Sequence, residues 1–283
     1  MKKIIFLLLL SQLVWVTGCR KDLIDYFAGA HGNKKYTVNF RIGGLNHNIG
    51  EPNVGYQTEP LQNYIKYLSI IVYDVKTGAE VARQIQKDTD VNFGQIAFSL
   101  PANNYHFVAA GSNTLFRINR FYELPETPPL QLPYAEAYMQ WAYEDPSEGE
   151  KRYRTTDTFI ANATSNITAN QTLDMIMQRQ IGKVEVTFND TPQFRVELHQ
   201  EATAITFASK TTMHGVVFRP QFQVNTGING PFRLDILATG GNIWLEVTPP
   251  GRLPIDVFVP IQKNKTTKVT GNIYTNELQF SFQ

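Results

Sequence analysis

Gly182-Lys183-Val184-Glu185-Val186-Thr187-Phe188 alternates apolar and polar residues without a slip. Successive side chains of a β-strand point to opposite faces, so Val184, Val186 and Phe188 share one face while Lys183, Glu185 and Thr187 share the other. That is the pattern of a half-buried strand. Residues 36–42 repeat it, with Tyr36, Val38, Phe40 and Ile42 on one side. Residues 65–73 are apolar on both faces, as a central strand requires. They end in Asp74-Val75-Lys76-Thr77-Gly78, a turn signal that predicts residues 79–85 as the returning arm of a hairpin. Segments 93–100 and 105–110 follow, joined by Pro101-Ala102-Asn103-Asn104, residues suited to a tight turn. Toward the C-terminus, segments 194–198, 203–207, 216–224, 232–238, 243–247 and 255–259 continue the series between Asn- and Gly-rich breaks. Many short strands at this spacing predict an all-β chain built from β-sandwiches.

Residues 112–170 interrupt the rhythm. They hold Pro125, Pro128, Pro129 and Pro133, then a charged run from Glu144 to Arg152. Between them Tyr134, Tyr138 and Trp141 stand at helical spacing, so residues 134–143 read as a short helix with those three on one face. That face either docks on the sandwich or offers aromatic contacts to a partner or a sugar. Long irregular stretches in compact proteins are functional loops or linkers. The expected organisation is therefore an N-terminal sandwich over 36–170, with an irregular insertion at about 112–170, and a C-terminal sandwich over 171–283.

The amino terminus has a separate purpose. Lys2 and Lys3 precede a thirteen-residue run, 4–16, that is apolar except for Ser11 and Gln12, and Thr17-Gly18-Cys19 follows. A basic start, a short apolar run and small residues before a cut describe a secretory signal peptide. The run is short for a membrane-spanning helix. A cysteine at the cut looks like the bacterial lipobox, in which cleavage between Gly18 and Cys19 leaves the cysteine carrying fatty acyl groups such as palmitate. Residues 1–18 are then the leader and 19–35 a lipidated tether. More than one acyl chain makes such an attachment stable, since each buried CH₂ contributes roughly 0.8 kcal/mol. Arg20-Lys21-Asp22 resembles short export signals that send lipoproteins to the outer cell face.

Composition narrows the function. Loss of Lys2 and Lys3 with the leader takes the formal charge from +1 to −1, and no basic stripe suggests nucleic acid. Cys19 is the only cysteine, so no disulfide is available and stability rests on the core. His31, His47, His106, His199 and His214 are scattered, without the spacing of a metal motif, and are expected at surfaces, turns or the less buried face of a strand. No nucleophile elbow or phosphate-binding glycine loop is present. No enzyme activity, cofactor or metal is expected.

Several segments together resemble the fimbrillin superfamily of Bacteroidetes, the type V pili, including its lipid-anchored anchor branch. The order carries the likeness: a lipobox, a tether, the first strand 36–42, then 67–78 closing on Asp74 and Gly78. Residues 96–111 match the family's turn followed by a strand, although the family more often has Pro-Gly where Pro101-Ala102 stands here. Residues 177–188, with Arg179 and Lys183, resemble the strand opening the second domain. Residues 259–275, with Asn264 and Gly271-Asn272, resemble the closing signature.

The resemblance implies two transthyretin-like β-sandwich domains in tandem and membership of a cell-surface filament whose subunits join by donating a strand. It implies other fimbrial subunits as partners and the outer membrane, reached through the lipid on Cys19, as the site of attachment. Polymerising fimbrillins are cut after an Arg near the first strand. Arg41 is the candidate, but it sits inside an alternating strand, which favours an uncut anchor, accessory or capping subunit. Leu278, Phe280 and Phe282 alternate at the C-terminus and form either a donated strand or the last strand of the second sandwich. The competing reading is a surface lipoprotein that grips glycan or host protein, as a tip adhesin or in nutrient uptake.

Overall fold

The structure is a computed structural model that describes residues 34–119, 130–141, 143–144, 152–153, 156–199, 202–214, 222–226, 231–237 and 241–283. Among these the fold is all-β, with one 3₁₀ turn at Leu61–Asn63. Gly18 and Cys19 lie outside the described residues. No helix among the described residues is long and apolar enough to cross a membrane.

The first half supplies β1 (Lys35–Gly43), β2 (Tyr67–Asp74), β3 (Glu80–Lys87), β4 (Ala97–Pro101), β5 (Asn103–Ser112), β6 (Phe116–Ile118), β7 (Tyr138–Trp141), β8 (Tyr143–Glu144), β9 (Arg152–Tyr153), β10 (Thr158–Ile167), β11 (Gln171–Ile176) and β12 (Gln178–Arg179). A three-stranded sheet, β11-β1-β4, faces a five-stranded one, β12-β10-β5-β2-β3. Val38, Phe40, Leu100 and Met175 meet Leu68, Ile70, Phe107 and Phe159 between them. The hairpin expected after residue 74 forms as β2 and β3. The Asp74 carboxylate accepts the Thr77 N–H at 2.7 Å, and Gly78 takes φ +72°, a left-handed angle that disfavours any residue with a Cβ.

The second half supplies β13 (Ile181–Phe188), β14 (Phe194–His199), β15 (Ala202–Thr206), β16 (Thr212–His214), β17 (Phe222–Thr226), β18 (Phe232–Leu237), β19 (Asn242–Thr248), β20 (Ile255–Pro260), β21 (Thr266–Asn272) and β22 (Glu277–Phe282). The sheets β18-β13-β21-β22 and β17-β14-β19-β20 enclose a second core. Val184, Val186, Phe188, Phe194, Val196, Leu245 and Val257 fill it. The expected strand 216–224 falls mostly outside the described residues.

The two halves share a pairing scheme that no sequence repeat announces. β1 lies between β11, parallel, and β4, antiparallel; β13 lies between β21, parallel, and β18, antiparallel.

The stretch read as irregular departs from that reading. It contains β6, β7 and β10, and β10 pairs with β5 along its whole length. The short helix over 134–143 is not formed, because β7 finds ladder partners on both sides, β6 and β15. The sheet β16-β15-β7-β6 draws strands from both halves of the chain. It covers the outer face of the five-stranded sheet: Phe116, Ile118, Met139, Trp141, Ile205 and Phe207 pack on Ile71, Tyr73, Val108 and Ile160. This third layer explains why β2 is apolar on both faces, as strands buried on two sides are.

Candidate functional site

The functional candidates are strands that could take part in subunit joining and the joint that fixes the two halves together. β1 turns Val38 and Phe40 into the first core and Thr37, Asn39 and Arg41 outward. Arg41 stands directly opposite Asp174 of β11. Its Nε donates to Asp174 Oδ1 at 2.7 Å and a second guanidinium nitrogen to Oδ2 at 3.0 Å. The guanidinium also lies 4.6 Å from the Tyr56 ring centre. Hydrogen bonds from Arg41 and then Tyr56 hold the Asp174 carboxyl below its usual range, and the bond to Asp174 and burial raise the Tyr56 hydroxyl. The Arg41 side chain is exposed, but its backbone is in the middle strand of a sheet. A protease that reads an extended segment would have to draw β1 out of two ladders first.

β22 lies at the edge of its sheet and pairs with β21 from Thr267↔Phe282 to Asn272↔Glu277. Leu278 is half-buried against the second core. Phe280 and Phe282 are each 43% exposed. The strand is thus integral to its own sheet yet bonded on one side, and it gives little to the core.

Tyr138 and Trp141, read from the sequence as sharing a helix face with Tyr134, are 3% and 1% exposed on β7. Tyr134 precedes that strand, half-buried, and stacks on His106 at 4.3 Å. The three dock on the sandwich and form no open aromatic face.

One buried cation governs the joint. Arg179 is 3% exposed. Its Nε and Nη2 donate to the two oxygens of Asp157 at 2.5 and 2.6 Å. Nη1 reaches Asn46 Oδ1, the Asn48 carbonyl and Asn264 Oδ1 at 2.8, 2.8 and 2.9 Å, and Nη2 also reaches the Asn46 carbonyl at 2.7 Å. The guanidinium lies 4.9 Å from the Phe159 ring centre. One buried cation thereby ties the loop after β1, the start of β10, the chain between the halves and the loop before β21. Asn264 assists: its Nδ2 donates to the Glu51 carbonyl at 2.8 Å. Both residues stand in segments that carry the family likeness, and their contact gives those segments a physical reason to occur together.

The histidines are less uniform than expected. His106 is on the less buried side of β5, with Nδ1 2.8 Å from the Thr164 hydroxyl. His199 is not a surface or turn residue. Its side chain is 13% exposed, and it stands beside Glu197 and Glu246. His31 and the side chain of His214 lie outside the described residues.

Comparison with known proteins places the chain. The family of fimbrillin-A associated anchor proteins, Mfa1 and Mfa2, matches residues 28–276. No match was found among curated proteins. Among solved structures, a candidate adhesin from Bacteroides thetaiotaomicron VPI-5482 aligns with a TM-score of 0.55 at 13% identity, over 88% of this chain and 95% of that one. A candidate cell adhesion protein from Bacteroides eggerthii DSM 20697 aligns at 0.52 and 10% identity, over 90% and 97%. A candidate polysaccharide-binding protein from Bacteroides thetaiotaomicron VPI-5482 aligns at 0.51 and 9%, over 83% and 90%. At these identities the likeness is one of fold.

Proposed function

Since the chain belongs to the family of fimbrillin-A associated anchor proteins, a family of structural and not catalytic proteins, we propose that it fastens a fimbria to the outer membrane through lipid on Cys19. It is a fimbria-associated surface protein, and its partners are other fimbrial subunits. In this reading residues 1–18 are removed, the tether 19–35 spans from the lipid to β1, and the body projects from the cell.

The observation that carries the anchor role is the state of β1. It is the middle strand of its sheet, bonded on both sides, and Arg41 is clamped by Asp174. A subunit that keeps this strand keeps the chain continuous from the lipid to the body. Cutting after Arg41 would separate the two. The strand available for exchange is then β22, whose outer edge can pair with a neighbour or which can leave its sheet to complete another.

The test is fractionation of cells carrying the wild-type protein or Cys19→Ser. Wild type should partition with detergent as an uncut chain from residue 19 onward and should co-purify with fimbriae. Cys19→Ser should appear in the aqueous phase, and fimbriae should be shed into the medium. Recovery of a body that begins after Arg41, or membrane retention of Cys19→Ser, would overturn the anchor reading.

A further inference from the structure

We propose that Glu197, His199 and Glu246 form a divalent-cation site, suited to zinc, on the outer face of the second sandwich. The register of three strands assembles it. Glu197 on β14 stands opposite Glu246 on β19, and Glu246 stands opposite Asp256 on β20. Three carboxylates thus cross three neighbouring strands in a row, although like charges directly opposite each other destabilise a sheet. The next row toward one end of β14 is aromatic: His199 opposes Trp244, which opposes Phe258.

Glu197 and Glu246 are not ordinary surface acids, although Asp256 is exposed. The side chains of Glu197, His199 and Glu246 are 10%, 13% and 24% exposed. Arg195 pairs with Glu197 at 2.5 Å, and Trp244 Nε1 donates to Asp256 at 2.8 Å. Glu246 faces His199, whose Nε2 lies 3.5 Å from Glu246 Oε2. That Nε2 is buried and makes no hydrogen bond among the described residues. A buried imidazole nitrogen without a hydrogen bond, facing the Glu246 carboxylate with Glu197 beside it, is a polar group that awaits a partner. The ring is held in place by the Trp244 indole, stacked at 4.3 Å and 22°.

The geometry suits a small ion. One ligand atom from each residue lies within 4.8 Å of the other two. The 3.5 Å between His199 Nε2 and Glu246 Oε2 is close to the roughly 3.4 Å edge of a tetrahedron with bonds of about 2.1 Å. One imidazole and two carboxylates make a mixed nitrogen and oxygen set, which zinc accepts. Calcium and magnesium favour all-oxygen shells of six or more ligands. A water would fill the fourth position. The bound cation would offset the row of like charges and join β14 to β19 by bonds that the ladder does not supply. Sequence spacing could not show this, because Glu246 is far from Glu197 along the chain and the pairing of β14 with β19 brings them together.

Calorimetric titration of the metal-stripped mature protein in detergent with Zn²⁺ tests the site, alongside thermal melts with Zn²⁺, Ca²⁺ and Mg²⁺. One equivalent of Zn²⁺ should bind and raise the melting temperature, and Ca²⁺ and Mg²⁺ at the same concentration should do neither. His199→Gln and Glu246→Gln should each weaken Zn²⁺ binding by more than the roughly 10–100-fold that loss of an outer-shell partner causes. Circular dichroism without metal identifies a variant that has misfolded, in which case the other variant decides. Absence of Zn²⁺ binding by the wild type, or undiminished binding by a folded variant, would overturn the proposal.

Discussion

Arg179 shows how much one side chain can carry in this protein. Its guanidinium fills every donor direction with an oxygen, and its charge is balanced by both oxygens of Asp157. Removing one partner of a buried ion pair leaves the other uncompensated, at a cost of about 3–5 kcal/mol. Arg179→Met should lower stability by that order in chemical denaturation. Arg179→Lys should recover part of the loss, since it restores the charge without the planar fork that meets Asp157 and Asn264 together. A loss below about 1 kcal/mol for the methionine variant would show that the joint is held by the surrounding packing instead. A sequence reader can see Arg179 and Asn264 as members of matching motifs, but not that they touch. Their contact spans 85 positions, and that to Asn46 spans 133.

At the level of elements, strand identity was legible where alternation was strong and illegible where partners decided it. β1, β5, β13, β14, β18, β19 and β20 all coincide with patterned segments, because an apolar stripe at period two has one way to be buried, whereas β3 follows from the turn before it and leaves Val81 and Ile85 exposed. β10 was hidden because its inward residues after Phe159 include Ala161 and Ala163, too small to stand out. The β7 segment has a helical pattern, because Tyr134, Tyr138 and Trp141 fit the 3.6-residue period. Its strand form depends on β6 and β15, which no local pattern reveals.

β22 has a consequence for assembly. It contributes half-buried Leu278 to the core, while Phe280 and Phe282 are 43% exposed. Deleting residues 277–283 should therefore leave a cooperatively melting protein with a melting temperature lowered by a few degrees, and should abolish co-purification with fimbrial subunits. Unfolding of the second sandwich on deletion would mean that β22 is needed at home and cannot be given away.

For the whole molecule, the decisive feature is the shared sheet. β15 and β16 come from the second half but complete a sheet begun by β6 and β7 of the first. Trp141 is 1% exposed in the layer this sheet makes with the five-stranded one. Together with the Arg179 joint, this couples the two sandwiches. Calorimetry should show one unfolding transition for both halves. Trp141→Ala should shift the whole of it downward, by the about 3–5 kcal/mol typical of emptying a buried tryptophan site. Two separated transitions, with Trp141→Ala moving only the first, would show that the halves unfold independently.

The amino-acid sequence by itself determined that the chain is built of strands, which residues of most strands face inward, where the tight turn at Asp74 to Gly78 falls and that β2 is covered on both faces. These are consequences of local periodicity and turn chemistry, readable within a few residues. Only the tertiary structure decided which strand lies beside which, that the apparent insertion is a third layer, that Arg179 locks the halves and that two glutamates and a histidine converge on one face. Those depend on pairings between distant segments, and a strand's own pattern states which side it buries but not which neighbour it bonds.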